Sequence, residues 1–212
     1  MGHHYPMLDA ATTDWVRGAL PPAPARLLEV GAGDGELAAA LRESGYDLRA
    51  IDPREEVADG VERVALIDLE APGGSFDGAV AMLSLHHVEP LDASLARLAA
   101  ILRPGARLVV DEFDVAAFDR RAAAWLLARW HEQGREVHGD AGAFLGDVRA
   151  HLHPVALIRE RLGAVGFEVG EAELVPYLHR WHLEPGLLDA EEEAIAAGEV
   201  PLTGARFIAV RS

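Results

Sequence analysis

The fold is decided by residues 26–41, Arg26-Leu27-Leu28-Glu29-Val30-Gly31-Ala32-Gly33-Asp34-Gly35-Glu36-Leu37-Ala38-Ala39-Ala40-Leu41. The apolar residues of 27–30 are typical of a buried strand in a parallel sheet. The glycines that follow let the backbone turn sharply and approach a ligand, because glycine has no Cβ. Apolar side chains then return at helical spacing from Leu37 onward. This pattern predicts a strand, a turn and a helix, with free backbone N–H groups of the turn facing a ligand.

The glycine turn is surrounded by carboxylates. A dinucleotide fingerprint reads G-x-G-x-x-G and holds a pyrophosphate at the N-terminus of the helix. Here Gly35 comes one residue early, and Glu36 stands where the fingerprint requires glycine. Together with Glu29 and Asp34, Glu36 would repel a pyrophosphate. The turn therefore favours a ligand that is cationic at this point and carries no phosphate there.

Composition limits the classes of partner. The chain has 212 residues, a net charge of −16, 50% hydrophobic residues and no cysteine. This length suits one α/β domain with an insertion or a small cap. The acidic balance argues against nucleic acid and anionic membrane surfaces, and no apolar run is long enough to span a membrane. The absence of cysteine fits a cytoplasmic protein. We expect a small-molecule substrate and no nucleic-acid or membrane partner, and a homodimer is compatible with the sequence.

A second acidic position follows the predicted second strand, residues 48–51. Asp52 lies roughly 20 residues past the glycines, where nucleoside-binding α/β folds usually place the acceptor for ribose hydroxyls. A carboxylate suits this role because it can accept hydrogen bonds from two hydroxyls at once. The alternative is a helix N-cap, with Pro53 at the first helical position. Further strands are predicted at 61–67, 76–83, 107–113, 167–175 and 204–210, and helices at 9–20, 92–102, 153–165 and 189–197.

Several phrases, taken together, resemble one enzyme family. The run Glu29–Gly35 resembles the first motif of class I S-adenosylmethionine (SAM) methyltransferases. Three more phrases resemble further motifs of that family. They are Phe76-Asp77 with the later His86-His87-Val88, then Leu102-Arg103-Pro104-Gly105, and finally Gly166-Phe167. These phrases cover about half of the chain in the order of the family. The resemblance implies an α/β fold, a Rossmann-like doubly wound sheet of seven strands whose last strand is antiparallel, with a helical cap insertion.

The resemblance also implies the cofactor, S-adenosyl-L-methionine, and its product, S-adenosyl-L-homocysteine. In the family the glycine loop wraps the methionine and ribose part, and an acidic residue interacts with the amino group. After the third strand, an acidic residue accepts the adenine amino group and the next backbone N–H reaches the ring. The residues that we assign to the cofactor on this basis are Glu29, Gly31, Ala32, Gly33, Asp34, Gly35, Asp52, Pro53, Asp68, Leu69, Leu83 and Ser84.

Acceptor chemistry is expected beyond the fourth and fifth strands. His86 and His87 are the candidates for a general base, because histidine titrates near neutral pH. The alternative is that one of them only hydrogen-bonds the loop. Tyr177, Trp181 and His182 are the candidates for the acceptor pocket. The group Asp111, Glu112 and Asp114 could offer oxygen ligands to a cation, but no Asp-Asn pair ends the fifth strand, so we expect no metal.

The predicted organisation is a leader, residues 1–24, followed by a SAM-binding domain, residues 25–212. Cap insertions are expected at about 115–150 and 176–203. The leader helix is expected either to act as a lid or to pack on the sheet. We expect methyl transfer to an O, N or C atom of a small molecule, in specialised metabolism. The alternatives are a SAM-binding enzyme that catalyses a cyclisation or rearrangement, and a SAM-binding regulatory subunit.

Overall fold

A computed structural model describes residues 10–136, 139–181 and 187–212. Helices and strands alternate over the first half of the chain, as in a doubly wound sheet. The strands are β1 (Arg26–Val30), β2 (Asp47–Asp52), β3 (Val61–Arg63), β4 (Phe76–Met82), β5 (Leu102–Phe113), β6 (Phe167–Val169), β7 (Glu173–Val175) and β8 (Gly204–Arg211). The helices are α1 (Ala10–Ala19), α2 (Glu36–Glu43), α3 (Leu91–Ile101), α4 (Arg120–Glu132), α5 (Ala141–His151), α6 (Val155–Ala164) and α7 (Leu187–Ala196).

The predicted doubly wound fold is confirmed. The strand order is β3-β2-β1-β4-β5-β8-β6, with β7 also paired to β8. The strands from β1 to β5 are parallel, and β8 runs antiparallel beside β5. The order reverses between β1 and β4, and such switch points open a cleft outside the carboxyl ends of the strands. The glycine turn after β1 lies at this cleft.

The predicted sixth strand, residues 167–175, forms two short segments, so the sheet has eight strands. Both segments pair with β8, but Val169 faces Ala209 while Glu173 faces Arg206. Three residues therefore lie opposite two, which is a β-bulge. The interruption begins at Gly170, where a Cβ would lie 2.9 Å from the carbonyl oxygen of Ile208.

The predicted third strand is too long. It ends at Arg63, and residues 66–68 form a 3₁₀ turn. Leu66 and Leu69 are both buried, and a 3₁₀ turn brings side chains three residues apart onto one side. Burial of this pair therefore replaces the end of the predicted strand.

Helices cover both faces of the sheet. On one face α3 and α6 pack in a large apolar core, and on the other α1 and α2 pack against β1, β4 and β5. The leader helix buries Val16, Ala19 and Leu20 on the sheet. This is the packing alternative for the leader, and a role as a lid stays a prediction.

A third core lies over the carboxyl end of β5 and joins residues of α4, α5 and α7 to Phe113. These helices fall in the two stretches predicted as cap insertions. Helix α5 begins at Ala141 and continues through Gly142. Asp140 accounts for this start, because its side chain accepts hydrogen bonds from the N–H groups of Gly142 and Ala143 at 2.8 and 2.9 Å.

Candidate active site

The glycine turn is shaped by its own hydrogen bonds. The N–H groups of Gly31 and Ala32 donate to Ile51 O at 2.8 and 2.9 Å, and Gly35 N donates to Ala32 O at 2.8 Å. Gly33 N donates to Asp52 Oδ2 at 2.9 Å. The expectation that the glycine N–H groups are free is therefore wrong, because β2 supplies the acceptors for Gly31 and Gly33, and the turn itself supplies the acceptor for Gly35. A turn whose glycine donors are already used is a poor site for phosphate, in agreement with the carboxylates around it.

Gly31 brings the turn against the end of β4. Its φ of 71° is in the left-handed region, and a Cβ on Gly31 would lie 2.3 Å from Ser84 Cβ. Only glycine fits both conditions. The Ser84 hydroxyl donates to Val30 O at 2.7 Å, which fixes the same contact from the other side. The glycine turn and the residues that follow β4 are thus in direct contact.

Glu29 is a buried carboxylate beside this turn. It is 3% exposed, and its Oε2 atom has no hydrogen-bond partner among the described residues. Burial raises the pKa of Glu29 to about 8, with Arg42 opposing the shift and Asp34 and Asp52 adding to it. A buried carboxylate oxygen without a donor is costly. An ammonium group would supply the missing donors, so Glu29 fits the amino group of SAM.

Asp52 already has donors from the protein. It accepts from Gly33 N through Oδ2, and from the backbone N and Nε of Arg54 through Oδ1, at 3.0 Å each. The carboxylate is 5% exposed, whereas more than half of the Arg54 side chain is exposed. Oδ2 keeps capacity for a second donor. The predicted ribose role is compatible with this geometry, and Asp52 also holds the glycine turn in place.

The adenine end is less well defined by the structure. Asp68 is exposed at the end of the 3₁₀ turn, and Pro53 is exposed beside Asp52. Leu69 is buried, but its N–H donates to Leu66 O at 3.3 Å. A contact from this N–H to an adenine ring would therefore have to share or replace that hydrogen bond. The roles assigned to these three residues stay predictions.

The segment after β4, which we call the β4 turn (residues 83–87), is held by the end of β5. Leu83 has a φ of 54°, unusual for a residue with a side chain, and its N–H donates to Asp111 O at 2.8 Å. Ser84 N and Leu85 N donate to Glu112 Oε1 at 3.0 and 2.6 Å. Three consecutive backbone N–H groups therefore anchor the turn to the end of β5.

The two predicted histidines differ in environment. His86 is 4% exposed and its Nδ1 hydrogen-bonds the Oε2 atom of Glu112, which is fully buried. His87 is exposed. Partial burial lowers the pKa of His87, followed by the nearby His86, with a smaller effect from His153 and an opposing one from Glu112. The rings of His86 and His87 lie 4.3 Å apart between centroids.

Six rings form an aromatic cluster beside the β4 turn. Phe113 lies 6.2 Å from the His86 ring and 4.8 and 4.9 Å from Tyr177 and Trp181. Burial raises the pKa of Tyr177, with the nearby Glu112 adding to the shift, so its hydroxyl keeps its proton. The structure thus packs two of the predicted acceptor residues, Tyr177 and Trp181, against Phe113, the ring that neighbours His86, and His182 lies outside the described residues. The cluster consists of Phe113, Phe118, Trp130, Phe144, Tyr177 and Trp181.

The segment with Tyr177 and Trp181, which we call the cap turn (residues 177–181), is built around Glu191 of α7. Glu191 Oε1 accepts from Tyr177 N and Leu178 N at 2.8 Å each. Its Oε2 accepts from His179 N and Nδ1 at 2.8 and 2.7 Å. Burial raises the pKa of Glu191, but the hydrogen bonds from His179 and Leu178 outweigh it and leave the pKa below its usual value.

The acidic group at the end of β5 is used within the protein. Asp111 Oδ2 accepts from Arg180 Nη1 at 2.9 Å and from Arg206 Nε at 3.0 Å. Both arginines also donate to the Thr12 hydroxyl of α1, at 3.0 and 2.9 Å. Across the described ranges, no three His, Asp or Glu side chains are grouped so that they could hold a metal ion. Asp111 and Glu112 thus bind cations and N–H donors of the chain itself.

Sequence reasoning missed the roles of Glu112, Arg180 and Glu191. Glu112 had a signal, because two carboxylates interrupt the otherwise apolar strand Leu108–Phe113. A buried acid in a strand needs donors, and its donors come from a segment 26 to 28 residues earlier. Glu191 had no such signal, because it lies in an acidic helix whose sequence suggests a solvated surface. Only the tertiary structure identifies these partners.

Comparison with known proteins agrees with the geometry. An uncharacterised methyltransferase of Mycobacterium tuberculosis is 36% identical over 104 residues, which are 45% of this chain and 41% of that protein. A ubiquinone biosynthesis O-methyltransferase of Xanthomonas axonopodis is 33% identical over 135 residues, 57% of this chain and 54% of that protein. The matches thus span about half or less of these relatives.

A solved methyltransferase structure has a similar fold. A SAM-dependent methyltransferase from Mesorhizobium loti matches with a TM-score of 0.63 and 19% identity, over 97% of this chain and all of that one. None of the described helices has both the length and the apolar character needed to cross a membrane. The sequence profile of the family described as "Methyltransferase domain" matches residues 3–171, and this chain belongs to that family.

Proposed function

We propose that this chain binds SAM and transfers a methyl group to a hydroxyl oxygen of a small-molecule acceptor. The observation that carries the proposal is the buried Glu29 carboxylate, whose Oε2 has no partner among the described residues beside a glycine turn. A dinucleotide would find the glycine N–H groups used and three carboxylates nearby. A cationic nucleoside without phosphates matches both features.

The accepting atom is proposed from two observations. An imidazole next to the aromatic cluster can take up a proton, which a hydroxyl acceptor must lose. The Xanthomonas relative is named as an O-methyltransferase, which supports oxygen over nitrogen or carbon.

The net charge of −16 supports a small molecule over nucleic acid. A cytoplasmic location is part of the proposal and is supported by the absence of cysteine.

The chain contributes binding, orientation and proton transfer. SAM, when bound, supplies a methyl group already activated on a sulfonium. Glu29 would hold its amino group and Asp52 its ribose hydroxyls. The partly buried rings of the aromatic cluster, Trp130, Phe144 and Trp181, would orient the acceptor and exclude water, which contributes much of the acceleration in such a transfer. His86 or His87 would accept the proton that leaves the acceptor hydroxyl as the oxygen gains the methyl group.

Two measurements test this function. Calorimetry with S-adenosylhomocysteine should show one site per chain, and no heat at high micromolar concentration would overturn the cofactor assignment. Mass spectrometry should then show that hydroxylated aromatic acceptors gain one CH2 unit in the presence of SAM. Conversion without a mass gain would favour cyclisation or rearrangement. Binding without any conversion would favour a regulatory subunit.

A further inference from the structure

We propose that Glu112 is the positioning residue of this reaction and that it makes His86, rather than His87, the general base. The inference deepens the proposed methyl transfer and rests on it. Its basis is the way in which one buried carboxylate holds three donors of the β4 turn: Ser84 N, Leu85 N and His86 Nδ1.

The chemistry of the carboxylate fixes the tautomer of His86. An ionised carboxylate can only accept hydrogen bonds. Since Glu112 Oε2 is bonded to His86 Nδ1, the proton of the neutral imidazole must lie on Nδ1. Nε2 then carries the lone pair. A histidine held in this way is ready to accept a proton at Nε2, which is the arrangement that a general base requires.

Position separates the two histidines. The His86 ring lies 6.2 Å from Phe113, and Phe113 contacts Tyr177 and Trp181 at 4.8 and 4.9 Å. His86 is therefore adjacent to the aromatic cluster, whose partly buried rings Trp130, Phe144 and Trp181 would contact the acceptor. His87 is exposed, and its ionisation responds to His153 as well as to its neighbours in the turn. The His87 side chain therefore lies nearer the surface than that of His86.

The backbone contacts add precision to the position of the ring. Leu83 is held in a left-handed conformation by Asp111 O, and Glu112 Oε1 holds the next two N–H groups. A strained residue persists only where its surroundings determine it. Each of the four residues 83–86 thus has a hydrogen bond to the end of β5, and these bonds restrict the position of the imidazole.

Replacement by glutamine makes a specific prediction about the proton. In Glu112→Gln the amide oxygen should face Ser84 N and Leu85 N, because the NH2 group cannot accept from two donors. The NH2 group would then donate to His86 Nδ1. The imidazole proton would move to Nε2, and the base would be lost without a change of side-chain shape.

The cap turn supplies a matched control. Glu191 holds Tyr177 N, Leu178 N and the His179 imidazole in nearly the same pattern, also through a 3₁₀ turn with a buried leucine. Glu191→Gln should therefore disturb a turn of the same kind. It should leave the proton on Nδ1 of His86, because it does not contact that ring.

The test is ¹⁵N NMR of the imidazoles in the full chain at neutral pH. We expect His86 to be protonated on Nδ1 in the wild type and in Glu191→Gln, and on Nε2 in Glu112→Gln. A wild-type His86 protonated on Nε2, or an unchanged tautomer in a folded Glu112→Gln, would overturn the proposal. The wild-type spectrum keeps the test decisive if Glu112→Gln does not fold.

Kinetics give the second arm. With an acceptor that the enzyme methylates, Glu112→Gln should lower kcat by about 100-fold, which is the scale of a lost general base. The pH dependence of kcat that the base produces should also disappear. His86→Gln should cost at least about tenfold more in kcat than His87→Gln. The reverse order would overturn the inference. The NMR arm needs no acceptor, so it can fail while methyl transfer is observed, and methyl transfer can fail while the tautomer is as expected.

Discussion

Two buried glutamates at the same edge of the sheet have opposite surroundings. Glu29 on β1 and Glu112 on β5 are 3% and 0% exposed. Glu112 holds two backbone N–H groups and an imidazole. Glu29 has an oxygen without a partner among the described residues, and burial raises its pKa to about 8. The comparison separates a carboxylate that organises the protein from one whose partner would be a ligand.

The difference follows from what lies beside each strand. The neighbours of Glu29 are a glycine turn, whose glycine N–H groups already donate to β2 or within the turn, and further carboxylates. The neighbour of Glu112 is the β4 turn, in which Ser84 N and Leu85 N both donate to it. The protein therefore holds Glu112 with its own donors and leaves a cost at Glu29, which a cationic ligand would offset.

The largest expected effect is on stability. Glu112→Ala leaves three buried donors unpaired, so it should lower the free energy of unfolding by about 3–5 kcal/mol more than Glu29→Ala. Both variants remove the same atoms from buried sites, and the difference isolates the hydrogen bonds. Urea unfolding at pH 9, where Glu29 is ionised, measures both. Equal losses would show that the two carboxylates do not differ in this way.

The next effect is on cofactor affinity. Glu29→Gln keeps the shape of the side chain but removes the negative charge that would pair with the SAM amino group. Calorimetry should show an affinity about 10- to 150-fold weaker, the range for a hydrogen bond to a charged group. The exposed Glu43 on α2 provides the control, because Glu43→Gln removes the same charge away from the turn. An equal loss in both variants would indicate a general charge effect.

Asp52 is an intermediate case, since it has protein donors and is also assigned to a ligand. Asp52→Ala should weaken SAM binding by about 1–3 kcal/mol, through the ribose contact and the loss of the acceptor for Gly33 N. Arg54→Ala removes only the exposed partner and should cost less than about 1 kcal/mol. Calorimetry of both variants tests this order, and an unchanged affinity of Asp52→Ala would refute the ribose role.

The smallest expected effect is the change in SAM affinity with pH. Since the pKa of Glu29 is raised to about 8, the side chain is protonated at pH 7 and must lose a proton to pair with a cation. SAM affinity should therefore rise by up to about tenfold per pH unit below pH 8 and level off above it. Calorimetry in buffers of different ionisation enthalpy should detect the released proton, and Glu29→Gln should abolish the slope.

The same group should affect unfolding with the opposite sign. The native state keeps the proton of Glu29 up to about pH 8, whereas the unfolded chain releases it near its ordinary value of 4.5. The contribution of Glu29 to the free energy of unfolding should therefore be greatest below that range and fall as pH rises through it. Glu29→Gln should flatten this part of the stability profile, which thermal unfolding over pH 5 to 9 would show.

Local sequence determined the frame of the molecule. The apolar run before Gly31, the glycines of the turn and the periodic residues after Leu37 gave the first strand, turn and helix as the structure has them. Such patterns are readable because burial on one element repeats at a fixed spacing. The acidic character of the turn could also be predicted from the sequence, because the charge of Asp and Glu side chains follows from residue type alone.

Tertiary structure alone decided which polar groups met. The N–H groups of Gly31, Ala32 and Gly33 are paired by Ile51 and Asp52, and His86 is paired by Glu112, across distances along the chain that no local pattern encodes. The bulge at Gly170 likewise depends on the approach of Ile208 from another strand. The sequence by itself determined the sheet, the glycine turn and its acidic character, since these depend on periodicity and composition. Whether a buried carboxylate is satisfied or left for a ligand depends on which strand lies beside it, and only the folded chain decides that.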